Sequence, residues 1–350
     1  MVNTLYDALF QRYQGQKTAF ITLADGSVLS HGAFVGMAAQ FAHVLGQLGL
    51  QPGDRLAVQI AKSPQALAVY AACVQAGVIF LPLNTAYTAA EVAYFVENSG
   101  AKLLICDAAN ASTLLPVAQA AGAQLEVLNA NGTGSFADLA ADQPLEFATV
   151  PRQPDDLAAF LYTSGTTGRS KGAMLTHANL LSNAEVLADS WQFSDKDVLM
   201  HALPIFHTHG LFVATNICLL SGAQMLFYPG FDVQAILRDM PRATTMMGVP
   251  TFYTRLLDQP EFTAQLASGM RLFISGSAPL LAETHVQFEH RTGHRILERY
   301  GMTETNMNTS NPYQGERRAG TVGFPLPGVE LKITRPDTGE TLPQGEIGQI

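Results

Sequence analysis

The chain has 350 residues, of which 47% are hydrophobic and 14% are charged. A chain of this length can bury more than one core, and the composition is typical of a well-packed globular enzyme rather than a disordered or coiled protein. The formal net charge of −9 argues against broad binding to nucleic acid or to an anionic membrane, because both surfaces are negative. An anionic substrate is compatible with this charge if cations are placed locally.

The cysteines and the N-terminus indicate the compartment. Cys73, Cys106 and Cys218 are widely spaced and form no CxxC pair, so we expect buried free thiols and no disulfide framework. The N-terminal residues lack a basic leader followed by an apolar core, and no run approaches the ~18 apolar residues of a membrane span. We therefore expect a soluble cytoplasmic protein with no membrane or nucleic-acid partner; its oligomeric state is left open.

The first part of the chain alternates helical and strand patterns. The predicted elements are a helix over 34–48, a strand over 55–60, a helix over 64–75, a strand over 78–83, a helix over 89–98 and a strand over 102–106. Glycine and proline residues punctuate these segments. Strands that alternate with helices of this length predict βαβ units and a largely parallel sheet.

The same organisation returns after an irregular connection over 129–154, with further strands around 225–228 and 272–275. The tail differs, because Gly328–Thr334 alternates with period two and a turn over 336–339 follows it, which predicts a β-hairpin. The fold class expected is α/β, with two doubly wound, sheet-bearing lobes over residues 1–315. Residues 316–350 are expected to begin a small β-subdomain.

A loop dense in hydroxyls and glycines follows the apolar strand of residues 158–161, and a helix is predicted from about Thr176. The loop residues expected to hold phosphates are Thr163, Ser164, Gly165, Thr166, Thr167, Gly168 and Lys171. Glycines allow successive backbone N–H groups to face an anion, hydroxyls add donors and the lysine adds charge. The spacing is not that of a P-loop, which requires Gly, four residues, then Gly-Lys-Ser/Thr.

Together with four further motifs, this loop resembles the phosphate-binding signature of the adenylate-forming superfamily of acyl-CoA synthetases, luciferases and peptide-synthetase adenylation domains. Residues 75–84 are similar to the early core motif of that family, and residues 203–210 to its acyl-site motif. Residues 299–305 are similar to the adenosine and magnesium motif, and residues 320–328 to the segment that follows it. These five motifs stand in the family's order over nearly the whole chain.

The resemblance implies a role for individual residues. The ATP-binding residues outside the loop are expected to be Gly276, Ser277, Ala278, Pro279, Glu298, Arg299, Tyr300, Gly301, Met302 and Thr303. Within this set, Tyr300 is expected to stack on adenine and Thr303 to touch the α-phosphate. Glu304 is expected to hold Mg²⁺, a hard ion that prefers oxygen ligands. Lys171, His207, Thr303 and Glu304 are the expected catalytic residues, with His207 gating the acyl and pyrophosphate sites.

The acyl-site segments suggest the substrate. Arg255 and Arg299 lie next to segments similar to acyl-pocket walls, and a guanidinium pairs with a carboxylate through two charge-assisted hydrogen bonds. Two arginines would suit a second carboxylate on the substrate, and these segments resemble malonyl-CoA synthetases more than acetyl- or long-chain enzymes. His207, Ser277 and Met302 complete the expected substrate site.

The histidines around this motif allow a competing hypothesis. His201, His207 and His209 invite a zinc site, but no acidic or thiol partner stands at a convincing offset. His209 also fits a structural histidine.

The resemblance implies a reaction in two halves. Malonate attacks the α-phosphorus of ATP to give malonyl-adenylate and pyrophosphate, and the CoA thiolate then displaces AMP. Three open alternatives are a synthetase for methylmalonate or acetate, a kinase, and a nucleotide-binding module without turnover. The ribose-binding aspartate, the hinge and the C-terminal domain with its catalytic lysine are expected beyond Ile350 in relatives, so full turnover by these 350 residues is not expected.

Overall fold

The computed structural model describes residues 2–163 and 169–350, which form an α/β structure. The α-helices in this part of the chain are α1 (Thr4–Leu9), α2 (His31–Gln47), α3 (Pro64–Ala76), α4 (Ala89–Ser99), α5 (Ala108–Ala120), α6 (Ser135–Ala140), α7 (His177–Ser190), α8 (Asn216–Ser221), α9 (Val233–Asp239), α10 (Pro250–Leu257) and α11 (Ala282–Thr292). A π-helical segment over His209–Thr215 leads directly into α8.

The strands fall into two sheets. They are β1 (Ala19–Leu23), β2 (Val28–Ser30), β3 (Arg55–Gln59), β4 (Ile79–Pro82), β5 (Leu103–Cys106), β6 (Gln124–Val127), β7 (Leu157–Thr163), β8 (Lys171–Thr176), β9 (Val198–His201), β10 (Gln224–Phe227), β11 (Thr245–Gly248), β12 (Leu272–Ser275), β13 (Leu297–Met302), β14 (Asn306–Ser310) and β15 (Phe324–Pro325). The order in the first sheet of the described chain is β6-β5-β3-β4-β7-β8. The order in the second sheet is β15-β14-β13-β12-β11-β9-β10-β1-β2.

Both sheets are mainly parallel. In the first sheet only β8 runs antiparallel to its neighbour, in register Thr163 with Lys171. In the second sheet β10, β9, β11, β12 and β13 pair in parallel, and antiparallel strands lie at the two edges. Parallel strands need a covering crossover on the sheet face, and the helices between them supply it.

The βαβ unit β3-α3-β4 shows how the local sequence defines an element. The side chain of Ser63 accepts a hydrogen bond from the Ala66 N–H, and Pro64 occupies the first helical turn, so the helix begins there. Gly77 has a left-handed backbone with φ of 73° and ends the helix without strain from a Cβ. The unit places Lys62 in the short connection between β3 and α3.

The core of the described chain has three parts, and its helices and two sheets form five layers. The largest cluster joins one face of each sheet through α1, α2, α3, α7 and α8 between them. A second cluster packs α9, α10 and α11 on the other face of the long sheet. A third packs α4 and α5 on the outer face of the shorter sheet. The predicted α/β fold with two sheet-bearing lobes is confirmed.

The helix predicted from about Thr176 is present, since α7 begins at His177 with Thr176 as its N-cap. The sequence did not predict β8, which pairs back on β7 before α7 begins. One local prediction is wrong, because the tail differs from the predicted β-hairpin. Its segment 328–334 forms no ladder, and only isolated bridges join Thr334 to Thr341 and Gln349. Its apolar side chains remain exposed, as Leu331 and Ile347 show, so no sheet face covers the alternating pattern.

Cys73, Cys106 and Cys218 are free and buried, and burial raises the pKa of each thiol. Among the helices that the structure describes, none is long and apolar enough to cross a membrane.

Candidate active site

A cavity of about 340 Å³ lies where several parallel strands of the long sheet end. Its walls come from the segments that follow β9, β11 and β12 and from β13 itself. The lining residues are Leu203, Pro204, His207, Thr208, His209, Gly210, Val249, Ser277, Arg299, Gly301, Met302, Thr303 and Met307. The carboxyl ends of parallel strands are the usual ligand-binding edge of an open α/β sheet. We call this space the acyl cavity.

Arg299 is the cation of the acyl cavity. Its side chain is only 3% exposed, and its Nε and Nη2 atoms have no hydrogen-bond partner. Burial lowers the pKa of Arg299 to about 10, so the guanidinium is still charged at neutral pH. An unpaired buried charge is costly, so the free protein holds this group at the expense of stability. The cavity is therefore built to receive an anion.

Gly276 makes room for this guanidinium. A Cβ at that position would lie 2.5 Å from Arg299 Nε and 2.6 Å from Nη1, well inside contact distance. Gly276 follows β12 directly, so the first residue after the strand must lack a side chain for Arg299 to lie against the sheet edge.

Two further buried polar groups face the acyl cavity without partners. They are His209 Nε2 and Thr208 Oγ1, in residues that are 5% and 6% exposed. Burial, with Arg299 and His201 nearby, holds the pKa of His209 well below its usual range, so its ring is neutral. Ser277 Oγ lies 3.3 Å from His209 Nδ1. When this hydroxyl donates to Nδ1, the proton of the ring is on Nε2 and can be donated into the cavity.

Ser277 adopts a left-handed backbone with φ of 69°, which is uncommon for a residue with a side chain. Such a conformation costs about 1 kcal/mol or more and persists only where the surroundings impose it. Here it sets the hydroxyl beside His209.

Thr163, the first residue of the hydroxyl loop, contacts Glu304, the residue predicted to hold Mg²⁺. Thr163 Oγ1 donates to Glu304 Oε1 over 3.2 Å, although the two residues are 141 positions apart. Lys171 begins β8, and its residue is exposed. Glu304 also lines a neighbouring polar cavity of about 250 Å³ together with Asn179 and Asn183. Residues 164–168, predicted to bind phosphate, lie outside the described residues.

Two predicted site residues are not brought to the acyl cavity. Arg255 is exposed on α10, with its Cζ 4.8 Å from the centre of the Phe231 ring. Because α10 begins at Pro250 and buries Tyr253 and Leu256, Arg255 falls on the outer face of the helix. The structure therefore does not bring the predicted pair of arginines together, and of the two only Arg299 lines the cavity.

Glu298, predicted to bind ATP, does not line the acyl cavity either. Successive residues of a strand point to opposite sides, so Glu298 lies behind the strand while Arg299 faces the cavity. Its Oε1 is 3.7 Å from Nδ1 of the buried His285 on α11.

Among the remaining predicted residues, His207, Met302 and Thr303 line the cavity. His207 and Met302 are exposed, and Thr303 and Tyr300 are half-buried. Partial enclosure lowers the pKa of His207. Ala278 and Pro279 follow Ser277 on the surface. The stacking of Tyr300 on adenine stays a prediction.

Sequence reasoning missed Thr208 and His209 as site residues. Both stand inside the segment 203–210, whose neighbouring His207 was singled out, so the signal was present. Their burial and missing partners separate them from ordinary core residues, and only the structure supplies those facts.

The comparisons with known proteins identify a family and several relatives. A family model described as AMP-binding enzyme matches residues 8–350. A malonate–CoA ligase of Arabidopsis thaliana is 32% identical over 98% of this chain, and a mitochondrial malonate–CoA ligase of Mus musculus is 36% identical over 73% of it. The chain spans 62% and 46% of the lengths of these relatives, respectively.

A solved structure has the same fold. The crystal structure of ATP-bound MatB from Rhodopseudomonas palustris superposes with a TM-score of 0.96 and is 53% identical. The match covers 99% of this chain and 69% of that chain.

Proposed function

The chain belongs to the AMP-binding enzyme family, as its motifs predicted, and we propose that it activates malonate with ATP and transfers the malonyl group to CoA. Methylmalonate is included, because it differs only by a methyl group. The relatives named as malonate–CoA ligases support this proposal. The single observation that carries it is the unpartnered guanidinium of Arg299, 3% exposed, in the acyl cavity.

A small dicarboxylate matches the groups that line the acyl cavity. One carboxylate pairs with Arg299 through charge-assisted hydrogen bonds and neutralises the buried charge. Thr208 Oγ1 and His209 Nε2 are the other unpartnered groups available to its oxygens. A monocarboxylic acid with an apolar end would leave all three groups buried and unsatisfied, which costs binding free energy. The polar lining therefore selects for a charge at the distal end of the acid.

In the first half-reaction the second carboxylate of malonate attacks the α-phosphorus of ATP. An oxygen–phosphorus bond forms, the bond to the β-phosphate oxygen breaks, and pyrophosphate leaves. Such a displacement needs alignment and neutralisation of charge more than covalent participation by the protein. Lys171 and the hydroxyl loop hold the β- and γ-phosphates, Thr303 contacts the α-phosphate, and His207 at the cavity mouth positions the attacking oxygen.

Adenine is assigned to the surface formed by Gly276, Ser277, Ala278 and Pro279, with Tyr300 against its face. The end of β13 then connects the base to the phosphates, since Gly301 and Met302 end the strand and Thr303 follows it. In the second half-reaction the CoA thiolate attacks the malonyl carbonyl carbon, a thioester bond forms, and AMP leaves with the bonding electron pair.

Glu304 fits a magnesium ligand by the chemistry of its donors. Its carboxylate is exposed, and one oxygen is oriented by Thr163 at the start of the hydroxyl loop. Mg²⁺ at triphosphates commonly uses one or two protein carboxylates and takes its other ligands from phosphate and water. Bound there, the ion would neutralise charge on the triphosphate. Glu304 would hold it, and Thr163 would orient Glu304.

The test is pyrophosphate release by the complete enzyme over a panel of malonate, methylmalonate, acetate, propionate and hexanoate. We expect malonate or methylmalonate to give the highest kcat/KM and AMP, not ADP, to accumulate. Release of ADP would indicate a kinase. Nucleotide binding without pyrophosphate release for any acid would leave only a binding module. A cytoplasmic location belongs to the proposal and is tested by fractionation.

A further inference from the structure

A half-buried lysine joins the two sheets directly behind the acyl cavity. Lys62 follows β3 in the shorter sheet, and His201 is the last residue of β9 in the longer sheet. Lys62 Nζ donates to the His201 carbonyl over 2.8 Å and lies 3.0 Å from His201 Nδ1. The same ammonium lies 4.3 Å from the centre of the Phe227 ring. Burial holds the pKa of Lys62 well below its usual range, and no carboxylate is among its contacts in the described chain.

His201 connects Lys62 to the wall of the acyl cavity. Its Nε2 lies 2.8 Å from the carbonyl oxygen of Gly210, which can only accept, so the ring proton is on Nε2. Burial and the neighbouring Lys62 hold the pKa of His201 well below its usual range, and the ring is neutral. Nδ1 must then accept from Lys62. The hydrogen bonds therefore run in one direction, from Lys62 to His201 and from His201 to the Gly210 carbonyl.

Gly210 is the last residue in this series of hydrogen bonds. It lines the acyl cavity and is the second residue of the π-helical segment that starts at His209. A Cβ at Gly210 would lie 2.9 Å from the carbonyl carbon of Pro204 and 3.1 Å from Leu203 Cβ, so the backbone is closely packed on the opposite wall. Thr215 Oγ1 also donates to the Gly210 carbonyl, over 3.0 Å. A shift of this carbonyl therefore moves the backbone beside Thr208 and His209.

We propose that Lys62 is a positioning residue for acid binding, which acts through His201 and the Gly210 carbonyl to hold the Thr208–His209 wall of the acyl cavity. The inference rests on the proposed function, since it concerns the same site. A lysine kept only to join the sheets would not need the imidazole, because an apolar side chain would pack equally well against Phe227. The hydrogen bonds from Lys62 fix the orientation of the His201 ring, which packing alone would not do.

Lys62→Met separates positioning from packing. Methionine keeps most of the stem that lines an apolar cavity of about 300 Å³ beside Ala66 and Phe80, but it donates no hydrogen bond. We expect the melting temperature to change little, because the loss of the hydrogen bonds to His201 is offset by the removal of a desolvated amine that has no carboxylate among its contacts in the described chain. We expect the KM for malonate to rise about tenfold while the KM for ATP stays within about twofold, since a lost hydrogen bond to a charged group is felt only at the acid.

Chemical rescue tests the donor itself. In Lys62→Ala the apolar cavity extends to His201, so ethylammonium or propylammonium can enter and donate to Nδ1. We expect either amine to lower the malonate KM of this variant toward wild type, and tetramethylammonium, which has no N–H, to have no effect. Lys196→Ala, at an exposed lysine just before β9, is the matched control and should neither lose affinity nor respond to amines.

The outcomes separate the two proposals. A wild-type enzyme that releases no pyrophosphate with any acid refutes the proposed function. An active wild type whose malonate KM is unchanged in Lys62→Met overturns the positioning role alone. Equal loss for malonate and ATP with a lower melting temperature, and no amine rescue, would show that Lys62 only joins the sheets.

Discussion

Replacing Arg299 by methionine is expected to abolish the preference for a dicarboxylate while making the free protein more stable. Arg299 is 3% exposed, and its Nε and Nη2 have no partner in the described structure. Methionine fills a similar path through the core without a charge. The distal carboxylate of malonate would then enter a buried space that offers no cation.

The magnitude follows from the burial of both partners. Removing one member of a buried, hydrogen-bonded charge pair typically costs about 2–5 kcal/mol, because the other charge stays buried and unpaired. This corresponds to a fall of about 30- to 5,000-fold in kcat/KM for malonate. Propionate has no distal charge, so its kcat/KM should be unchanged or higher. In the free enzyme the substitution removes an unpaired guanidinium, and the melting temperature should rise by a few degrees.

The assay is the ratio of malonate to propionate kcat/KM from pyrophosphate release, with thermal unfolding measured in parallel. Arg255→Met is the matched control, because Arg255 is exposed on α10 and makes its contact with Phe231 instead. Its ratio should match wild type. A ratio for Arg299→Met within about threefold of wild type, a change below ~0.7 kcal/mol, would refute the assignment of Arg299 to the distal carboxylate.

Three other substitutions test neighbouring parts of the structure. Gly276→Ala places a Cβ 2.5 Å from Arg299 Nε and displaces the guanidinium, so malonate kcat/KM should fall about tenfold or more with ATP KM little changed; unchanged kinetics would mean that the guanidinium can move freely. Glu304→Gln should raise the Mg²⁺ concentration for half-maximal pyrophosphate release about tenfold, and an unaltered Mg²⁺ titration would remove Glu304 from the metal. Asp197→Asn should cost about 2–4 kcal/mol at pH 7, since Asp197 is bonded to Arg271 at 2.7 Å. Burial alone would raise the pKa of Asp197, but its hydrogen bonds, that to Arg271 foremost, lower it below its ordinary value. The stabilisation is therefore present above the unfolded pKa of about 3.9 and is lost as pH falls through the folded value, so melting curves of the two proteins should converge below about pH 4; a constant difference down to pH 3 would contradict this.

Local patterns were sufficient for most of the fold. The strand at 55–60 and the helix at 64–75 were predicted within one residue of β3 and α3, because hydrophobic period, the Ser63-Pro64 start and the Gly77 end are all local. The five motifs were sufficient for the family, since glycines, hydroxyls and charged residues at fixed spacing require a particular backbone. The tail segment 328–334 shows the limit, because an alternating pattern forms a strand only where a neighbour pairs with it.

The site itself was decided by tertiary structure. The sequence predicted the same role for Arg255 and Arg299. Arg255 is exposed because of where α10 begins, and Arg299 is buried because of the alternation of side chains along β13. Lys62 and His201 lie 139 residues apart and meet because one follows β3 in the shorter sheet and the other ends β9 in the longer sheet. Hydrophobic period and turn chemistry act over a few residues, so the sequence specified the elements. Which polar atoms are left buried without a partner depends on how those elements pack, and that property defines the acyl cavity.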